Sequence, residues 1–506
     1  MSYQMRLTEL MSLGGSDTLS TRVITGMSLD SRTLTVGDLF FALADDASIR
    51  AQHIERAITV GVAAVCVDAA STLSIATIKQ LADADVELVI LETLKAKVAR
   101  LAAAFYHYPS VDMTVMAITG TNGKTSVSHF IAQALENAGY ACGVIGTLGN
   151  GRLGALKHNG MTTPDPVYLQ AMLAEMRDAG VKYVVLEASS HALQQGRLSS
   201  VDINYAVFTN LSRDHLDYHQ SMAEYAAAKR QLFCFKSLQA AVLNLDDEFG
   251  RELLPLLAEK QLKTLKYSCQ STESDLFASQ IRAHVNGLQF VLNGYQYAQP
   301  VQTRLLGRFN VENMLAMAAM LTLLGWSESE VVQSLEQLSS VDGRMQMLAS
   351  ELQPSVVIDF AHTPDALQKA LQGMRQHLNT TSRLWCVFGC GGERDSGKRP
   401  LMGAIASDLA DKIVVTDDNP RNESSEQIIK QILAGCDRNA DVSIEADRQR
   451  AIEHAVMTSS LQDMVLIAGK GHEQYQEKLG IKMPFNDYEI ALQAIQKRHS
   501  ATRVTL

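Results

Sequence analysis

The residues with the most evident chemical capability lie in the segment TGTNGKTS, residues 119–126. The segment follows an apolar, β-branched run that ends at Ile118 and precedes a stretch of helical patterning that extends to Leu135. In this order of strand, glycine-rich turn and helix, backbone N–H groups can surround phosphate oxygens, and the partial positive charge at the helix start attracts anions. The segment therefore predicts binding of a nucleoside triphosphate, although it is a shortened form of the usual phosphate-binding loop.

Two side chains of this loop have specific expected roles. Lys124 can reach the β- and γ-phosphates, and Thr125 can offer its hydroxyl group to Mg²⁺. The alternative is a glycine turn with a solvated lysine, which the flanking strand and helix disfavour. The residues expected to contact ATP are Gly120, Thr121, Asn122, Gly123, Lys124, Thr125 and Ser126.

Parallel sheets flanked by helices are expected to position this loop. Short apolar runs rich in β-branched residues alternate with longer helical stretches, which is typical of an α/β fold. A chain of 506 residues is too long for one hydrophobic core, and the pattern predicts three domains, at residues 1–108, 109–341 and 342–506. Ligands gather at the carboxyl ends of parallel strands, so these ends are where the site is expected.

Strands are predicted from apolar runs and helices from amphipathic stretches. The predicted strands are 38–43, 63–67, 87–91, 113–118, 183–186, 206–209, 241–244, 356–359, 384–388, 412–416 and 464–468, with an antiparallel segment at 277–305. The predicted helices include 94–106, 311–324 and 327–338.

Charge and cysteine content narrow the class of protein. The net charge of −10 argues against a general nucleic-acid-binding protein, which would need a basic surface. No apolar run approaches the roughly 20 residues that span a bilayer, and the N-terminus lacks the features of a signal peptide, so no stable membrane insertion is expected. The seven cysteines do not form a disulfide or metal-binding pattern, and a cytoplasmic location is expected.

Further motifs follow the loop in the order and spacing found in the Mur ligases. The motifs are TTPD from Thr162, LEASSHAL from Leu186, FTNLSRDHLD from Phe208, GRFNVEN from Gly307, DFAHTPD from Asp359, FGCGGERD from Phe388 and DNPR from Asp418. Over essentially its whole length the chain resembles the Mur ligase family, and most closely the members that add 2,6-diaminopimelate.

The resemblance implies a fold and an activity. The implied fold has a small α/β domain for a uridine nucleotide, a central parallel-sheet domain similar to P-loop ATPases, and a C-terminal Rossmann-like domain for an amino acid. The implied activity is an ATP-dependent ligation of meso-diaminopimelate to the D-glutamate of UDP-N-acetylmuramoyl-L-alanyl-D-glutamate, through an acyl phosphate, in peptidoglycan synthesis. A monomer is expected.

The resemblance also implies a catalytic group around Lys124. It assigns Glu187, His215 and Lys229 to catalysis and, together with Thr125, to binding of Mg²⁺, with Lys229 in the form of a carbamate. Carbamylation requires a neutral amine and hence a lowered pKa. From the residues alone, a buried hydrogen-bonded histidine and a helix-surface lysine are the simpler interpretations of His215 and Lys229.

By the same resemblance, the remaining ATP contacts are Asn310, Asn313 and Arg344, with helix capping as the alternative for one of the two asparagines. The implied contacts to the UDP-linked dipeptide are Leu29, Ser31, Thr162, Thr163, Ser189, Gln195 and Arg197. Residues 45–53 lack the glycine-rich sequence common in the family, so pyrophosphate contacts near residues 46–48 are not expected with the same weight as the other contacts.

Specificity for the amino acid is expected in the DNPR motif. The fork of an arginine can bind a carboxylate with two parallel hydrogen bonds, and meso-diaminopimelate has a distal carboxylate that L-lysine lacks. Glu473 can accept from the distal ammonium. Glu393 stands where the family usually has Asp. The implied diaminopimelate contacts are Arg394, Asp418, Asn419, Pro420, Arg421, Gly469 and Glu473.

Two other functions are compatible with the loop alone. A ligase similar to folylpolyglutamate synthase would share the loop, but it has no reason to carry DNPR or a uridine-type first domain. A phosphate-loop ATPase switch would hydrolyse ATP without any dependence on an amino acid.

Overall fold

The computed structural model of the protein describes residues 3–15, 18–158, 160–296, 298–348 and 354–504. These residues form two compact units, Met1–Leu265 and Lys266–Leu506. Within the described ranges, none of the helices is long and apolar enough to cross a membrane. No disulfide bond joins any of the cysteines in the described ranges.

The first unit begins with a small sheet and its helices. The elements are β1 (Met5–Arg6), α1 (Leu7–Leu13), β2 (Val23–Ile24), β3 (Gly26–Ser28), β4 (Asp38–Phe41), α2 (Ala47–Val60), β5 (Ala64–Asp68), α3 (Ile75–Asp83), β6 (Glu87–Leu91) and α4 (Leu94–Phe105). Strands β3, β4, β5 and β6 pair in that order, all parallel. Apolar residues on the two faces of this sheet form separate clusters, one with α1 and α4 and one with α2 and α3.

A larger sheet occupies the rest of the first unit. Its elements are β7 (Thr114–Thr119), α5 (Lys124–Asn137), β8 (Cys142–Gly146), β9 (Gly149–Arg152), α6 (Pro166–Asp178), β10 (Tyr183–Glu187), α7 (Ser190–Gln194), β11 (Tyr205–Phe208), α8 (Leu216–His219), α9 (Met222–Arg230), β12 (Ala240–Asn244) and α10 (Glu248–Glu259), with β13 (Lys263–Ser268) at the division between units.

Strand β7 lies between β10 and β11, and the three run parallel. Residues Val115–Ile118 are fully buried, which explains why this strand reads as a continuous apolar run. The chain continues to strands on both sides of β7, so the carboxyl end of β7 is a topological switch point, where open parallel sheets bind ligands. The phosphate loop starts at this end.

The second unit contains an antiparallel segment and a parallel sheet. Its elements are β14 (Leu276–His284), β15 (Gly287–Asn293), β16 (Gln299–Thr303), α11 (Phe309–Leu323), α12 (Glu328–Glu336), β17 (Gln346–Leu348), β18 (Ser355–Asp359), α13 (Pro364–Arg375), β19 (Leu384–Phe388), α14 (Lys398–Leu409), β20 (Lys412–Val415), α15 (Ser425–Leu433), β21 (Val442–Ile444), α16 (Arg448–Thr458), β22 (Met464–Ala468), β23 (Tyr475–Lys478), β24 (Ile481–Pro484) and α17 (Asp487–Val504).

The main sheet of this unit has the order β17-β18-β22-β19-β20-β21, with only β17 antiparallel. Its core lies on both faces of the sheet. The predicted α/β class with parallel sheets is confirmed. The carboxyl ends of β18, β19, β20 and β22 lead into the segments expected to bind ligands, and the hairpin β23–β24, which the sequence did not predict, follows β22.

Candidate active site

The phosphate loop is held against the segment that follows β11. The Thr121 N–H donates to the Asn210 carbonyl at 2.7 Å, and the Asn122 N–H donates to Asn210 Oδ1 at 2.9 Å. Gly123 has a φ of +88°, a left-handed conformation that favours glycine, and α5 starts immediately after it. The loop is therefore fixed by the protein, with the N-terminus of α5 directed at the site of the expected phosphates.

Two lysines meet at one carbonyl of this loop. Lys124 Nζ donates to the Gly120 and Thr121 carbonyls at 2.9 and 2.8 Å, and Lys229 Nζ donates to the Gly120 carbonyl at 2.7 Å. Lys124 is thus folded onto its own loop and is not a solvated lysine. Two ammonium groups sharing one acceptor repel each other, which favours the neutral form of one of them.

Lys229 is the lysine that loses its charge most easily. Its side chain is buried, with a relative exposure of 1%, so the interpretation as a helix-surface lysine is wrong. Burial, and then the positive charge of Lys124, lowers the pKa of Lys229 well below its usual value. The amine also lies 4.3 Å from the ring centroid of Tyr225, one helical turn earlier on α9. The ring attracts a cation, but burial and the charge of Lys124 favour the neutral amine, which is the form that carbamylation requires.

Glu187 ends β10 with a fully buried carboxylate beside the loop. Its Oε2 accepts from the Thr125 and Thr147 hydroxyls, each at 3.0 Å, and its Oε1 accepts from the Thr147 N–H at 2.9 Å. No motif or spacing in the sequence marks Thr147 as a site residue. Hydroxyl and carboxylate oxygens are ligands that Mg²⁺ accepts when substrate phosphates and water complete its shell, so Thr125 and Glu187 fit this ion.

His215 lies on the surface of the same unit. Its side chain is 46% exposed, so the interpretation as a buried histidine is wrong, and its Nε2 is 3.6 Å from Asp214. Its ring packs edge-on against His191 and Tyr225, with centroids 5.0 and 6.0 Å apart. Among the described residues there is no group of three or more His, Cys, Asp or Glu arranged to hold a metal ion. The structure joins Thr125 to Glu187 through a hydrogen bond.

The residues expected to bind the dipeptide are brought together around the end of β10. The Thr163 hydroxyl donates to the Glu187 carbonyl at 2.6 Å and contacts Ser189 Oγ at 3.0 Å. The Thr162 and Thr147 hydroxyls are 3.1 Å apart. These contacts place Thr162, Thr163 and Ser189 next to the buried carboxylate.

Arg197 extends this group. It donates to the Thr163 carbonyl at 2.7 Å and, through Nε and Nη2, to Gln195 Oε1 at 2.9 and 2.6 Å. Burial lowers the pKa of Arg197 from its usual value. Gln195 donates in turn to the Tyr218 hydroxyl at 3.0 Å. A guanidinium held in this way is suited to an anionic group of a substrate.

The two residues expected near the uridine lie between β3 and β4. Leu29 packs on the apolar cluster of the small sheet, and Ser31 is buried with its hydroxyl 3.4 Å from Arg56 Nη1. At residues 46–48, where the sequence departs from the family's pattern, Asp46 caps α2 by accepting from the Ser48 and Ile49 N–H groups. A carboxylate used as a helix cap does not offer a phosphate site.

In the second unit, Asn310 and Asn313 lie in the first turns of α11. Asn313 Nδ2 donates to Asn310 Oδ1 at 3.0 Å, and Asn310 Nδ2 donates to the Leu306 carbonyl at 2.8 Å. Neither asparagine caps the helix, which begins after Arg308 without a side-chain cap. The guanidinium of Arg344 stacks 4.8 Å from the ring centroid of Phe360.

His377 supports the segment that leads into α11. The Gly307 N–H donates to His377 Nε2 at 2.9 Å, and His377 Nδ1 lies 2.7 Å from the His284 carbonyl. Because Nε2 accepts, the proton of the neutral ring is on Nδ1. Burial lowers the pKa of His377 from 6.5. The sequence did not identify this residue.

The DNPR segment lies at the carboxyl end of β20. Arg421 has a φ of +51°, which is strained for a residue with a side chain. Its N–H donates to the Glu477 carbonyl at 3.0 Å, its carbonyl accepts from the Leu479 N–H at 2.7 Å, and its Nη1 donates to the Gly392 carbonyl at 2.8 Å. The hairpin β23–β24 therefore fixes the arginine in this conformation.

Neighbouring segments complete the group around Arg421. A Cβ on Gly391 would lie 3.0 Å from Arg421 Nη1 and 3.6 Å from Arg394 Cγ, so the two arginines flank one glycine loop. Asn419 Nδ2 donates to Glu473 Oε2 at 2.8 Å, and Pro420 is buried. A Cβ on Gly469 would lie 2.5 Å from Asp418 Oδ2. All seven predicted residues of this set are thus in one region.

A buried ion pair lies beneath these strand ends. Arg448 donates from Nε and Nη2 to the two oxygens of Asp487 at 2.8 and 2.7 Å, and both side chains are fully buried. Arg448 also donates to the Ala468 and Asp417 carbonyls at 3.0 and 3.3 Å. The pair thereby links the ends of β20 and β22. No local pattern distinguishes these two residues from surface charges in the sequence.

Comparison with known proteins assigns most of the chain to recognised domains. The sequence model of the Mur ligase middle domain matches residues 118–321, and that of the Mur ligase glutamate ligase domain matches residues 343–471.

Individual relatives match nearly end to end. A UDP-N-acetylmuramoyl-L-alanyl-D-glutamate–2,6-diaminopimelate ligase of Pseudomonas aeruginosa is 44% identical over 473 residues, covering 94% of this chain and 95% of the relative. A solved structure of a ligase with the same name is similar with a TM-score of 0.70 at 35% identity, covering 99% of this chain and 100% of the other. MurF ligase from Thermotoga maritima, solved in complex with ADP, has a TM-score of 0.62 at 15% identity, covering 94% and 98% of the two chains, and shares the fold.

Proposed function

We propose that this chain, which belongs to the Mur ligase family, joins 2,6-diaminopimelate to UDP-N-acetylmuramoyl-L-alanyl-D-glutamate with the energy of ATP. The carboxylate of the D-glutamate side chain attacks the γ-phosphorus of ATP, which gives an acyl phosphate and ADP. The amine of diaminopimelate then attacks the acyl carbon, and inorganic phosphate leaves with the bridging oxygen. The product is an amide, and the amine loses a proton.

The first step brings two anions together, and the residues around the phosphate loop reduce the resulting repulsion. Backbone N–H groups at the start of α5 surround the phosphates, and Lys124, freed from the Gly120 and Thr121 carbonyls, places its charge on the terminal phosphates. Thr162, Thr163, Ser189, Gln195 and Arg197 bind the peptide end of the nucleotide at the end of β10. Leu29 and Ser31 contact the uridine, and Asn310, Asn313 and Arg344 contact the nucleoside of ATP.

Mg²⁺ is proposed as the cofactor, held by Thr125, Glu187, His215 and the carbamate of Lys229. When bound, the ion supplies positive charge that offsets the charge of the phosphates. The chain contributes the preformed pair of oxygens from Thr125 and Glu187. It also contributes a lysine whose neutral form is favoured by burial and by Lys124, so that its amine can take up CO₂.

The amino acid is selected at the end of β20. Arg421 grips the distal carboxylate of diaminopimelate with its fork, next to Arg394, and Glu473 accepts from the distal ammonium. Asp418, Asn419, Pro420 and Gly469 shape the surrounding surface. L-Lysine offers no distal carboxylate, so it loses the interaction with Arg421.

The organisation of the chain is proposed to follow three domains, residues 1–108 for the UDP-sugar, 109–341 for ATP and 342–506 for the amino acid. A monomer is proposed for this scheme. We propose a cytoplasmic location, which accords with cysteines that are not joined by disulfide bonds in the described ranges and with the nucleotide substrates.

The proposal depends on one observation above all: the phosphate loop, Glu187 and Lys229 converge at the carboxyl end of β7. The experiment is ADP release by the purified protein with ATP and the UDP-linked dipeptide. We expect release with meso-diaminopimelate and little with L-lysine or without an amino acid. ADP release that is indifferent to the amino acid would instead indicate a nucleotide-driven switch and would contradict the proposal.

A further inference from the structure

Lys470 is a fully buried lysine directly after β22, in the segment Gly469-Lys470-Gly471. Both glycines have positive φ values, +117° and +54°. A Cβ at position 469 would lie 2.5 Å from Asp418 Oδ2, and one at position 471 would lie 2.8 Å from Phe360 Cβ. The backbone can therefore pass close to its neighbours only as glycine, and the lysine between the two glycines is directed into the protein.

The Lys470 ammonium ends in a compact polar network. Its Nζ donates to Asn419 Oδ1 at 3.0 Å and to Glu473 Oε2 at 2.6 Å. Asn419 Nδ2 donates to the same Oε2 at 2.8 Å, and the Glu477 N–H donates to Asn419 Oδ1 at 2.9 Å. A buried ammonium is costly unless it is paired and hydrogen-bonded, and Glu473 supplies the pairing charge.

The network leaves one side of the Glu473 carboxylate available. Oε2 accepts from two donors, whereas no donor within the described ranges reaches Oε1. The side chain of Glu473 is 24% exposed, while that of Lys470 is fully buried. The carboxylate is thus held by the buried lysine, is itself partly exposed, and lies beside the DNPR segment that carries Arg421.

Building on the proposed function, we propose that Lys470 is a positioning residue that holds Glu473 oriented as the acceptor for the distal ammonium of the amino-acid substrate. Arg421 and Glu473 then recognise different groups of the same substrate end, the carboxylate and the ammonium. L-Lysine lacks the first group. L-α-Aminopimelate, which has the distal carboxylate but no distal ammonium, lacks the second.

The test compares kcat/KM for meso-diaminopimelate with kcat/KM for L-α-aminopimelate. The wild-type protein should favour diaminopimelate, and Lys470→Met should reduce this preference by about 10- to 100-fold, since one hydrogen bond between charged groups is lost. Glu473→Gln should reduce the preference by a similar factor. Lys470→Met in the Glu473→Gln background should reduce it no further, because the lysine acts through the carboxylate.

Lys482→Met is the matched control. Lys482 is an exposed lysine whose amine lies 4.4 Å from the ring centroid of Tyr475, and Lys470 lies 5.7 Å from the same ring. This control removes a lysine near the ring and leaves Asn419 and Glu473 unchanged. Its preference for diaminopimelate over L-α-aminopimelate should equal that of the wild type. ATP binding and a cooperative thermal transition establish that each variant is folded.

Three results would overturn the proposal. The first is an unchanged preference for diaminopimelate in Lys470→Met, and the second is an equal decrease of kcat/KM for both amino acids in that variant. The third is a preference in Glu473→Gln equal to that of the wild type. If Lys470→Met does not fold, Lys470→Gln carries the same comparison because it keeps an amide donor and lacks the charge. The Glu473→Gln result stands without any lysine variant. A wild-type protein that releases no ADP in response to diaminopimelate would refute the proposed function instead.

Discussion

Replacing Arg421 with Met should weaken recognition of meso-diaminopimelate and leave ATP binding unchanged. The guanidinium already gives one Nη1 hydrogen bond to the Gly392 carbonyl and lies 3.5 Å from Glu477 through Nε, so only part of its fork remains for a substrate. Hydrogen bonds between charged groups contribute about 1.5–3 kcal/mol each. With a side chain that is 20% exposed, we expect a total loss of about 2–4 kcal/mol. This corresponds to a decrease of about 30- to 1,000-fold in kcat/KM for meso-diaminopimelate.

The assay is steady-state ADP release with meso-diaminopimelate and with L-lysine. The variant should change kcat/KM for L-lysine by less than about threefold, because L-lysine has no carboxylate for Arg421 to bind. Arg421→Lys keeps the charge without the fork and should lie between the wild type and Arg421→Met. Arg450→Met, which removes an arginine whose side chain is 75% exposed, is the control and should behave as the wild type. Equal decreases in kcat/KM with both amino acids, or a loss of ATP binding in Arg421→Met, would show that Arg421 does not bind the distal carboxylate.

Three further predictions concern buried ionisable groups. Protein incubated with ¹³C-bicarbonate should show a carbamate signal by NMR that is absent in Lys229→Met, and a wild type without that signal would contradict the proposed modification. Arg448→Met leaves the Asp487 carboxylate buried and uncompensated, so urea unfolding should show a loss of about 3–5 kcal/mol, whereas a loss below about 1 kcal/mol would mean that the pair is not buried in solution. The pKa of His377 is lower in the folded protein than in the unfolded chain, so the unfolded chain binds the proton first as the pH falls below about 6.5. The free energy of unfolding should therefore decrease below that pH. His377→Leu should make the free energy of unfolding less dependent on pH in this range.

The buried parallel strands were predictable because both their faces are covered. The predicted strands 384–388 and 464–468 coincide with β19 and β22, in which every residue is buried. The strand predicted at 87–91 also coincides with β6, although β6 is an edge strand in which Ile90 is exposed. The antiparallel segment predicted at 277–305 corresponds to β14–β16. Other boundaries differ by a residue or two; for example, the strand predicted at 412–416 ends at Val415.

The hairpin β23–β24 was missed for the opposite reason. All four residues of β24 are exposed, so no apolar face marks it. The hairpin holds Arg421 through backbone hydrogen bonds, and Arg421 has a positive φ. Backbone hydrogen bonds do not depend on the residue type, and a positive φ can be anticipated from the sequence only at glycine. The two glycines around Lys470 were the one local signal that could have indicated an unusual backbone at that position.

The candidate site was predictable to different extents in its parts. The phosphate loop follows from its own residues and context. Glu187, His215 and Lys229 were selected through family resemblance, because spacing alone favoured a buried histidine and a surface lysine, the opposite of the exposures that the structure shows. Thr147, Tyr225 and Lys470 were missed because their contacts join segments distant in the sequence. The roles of all the site residues remain predictions.

Formation of the acyl phosphate is the central chemical step of the proposed reaction, and an isotope transfer tests it directly. The UDP-linked dipeptide is prepared with ¹⁸O in both oxygens of the D-glutamate side-chain carboxylate, and the phosphate formed during turnover with ATP and meso-diaminopimelate is analysed by mass spectrometry. Attack of the carboxylate on the γ-phosphorus predicts one ¹⁸O atom in each phosphate, with the other retained in the amide. Phosphate free of ¹⁸O, formed together with the amide product, would show that the reaction does not pass through an acyl phosphate.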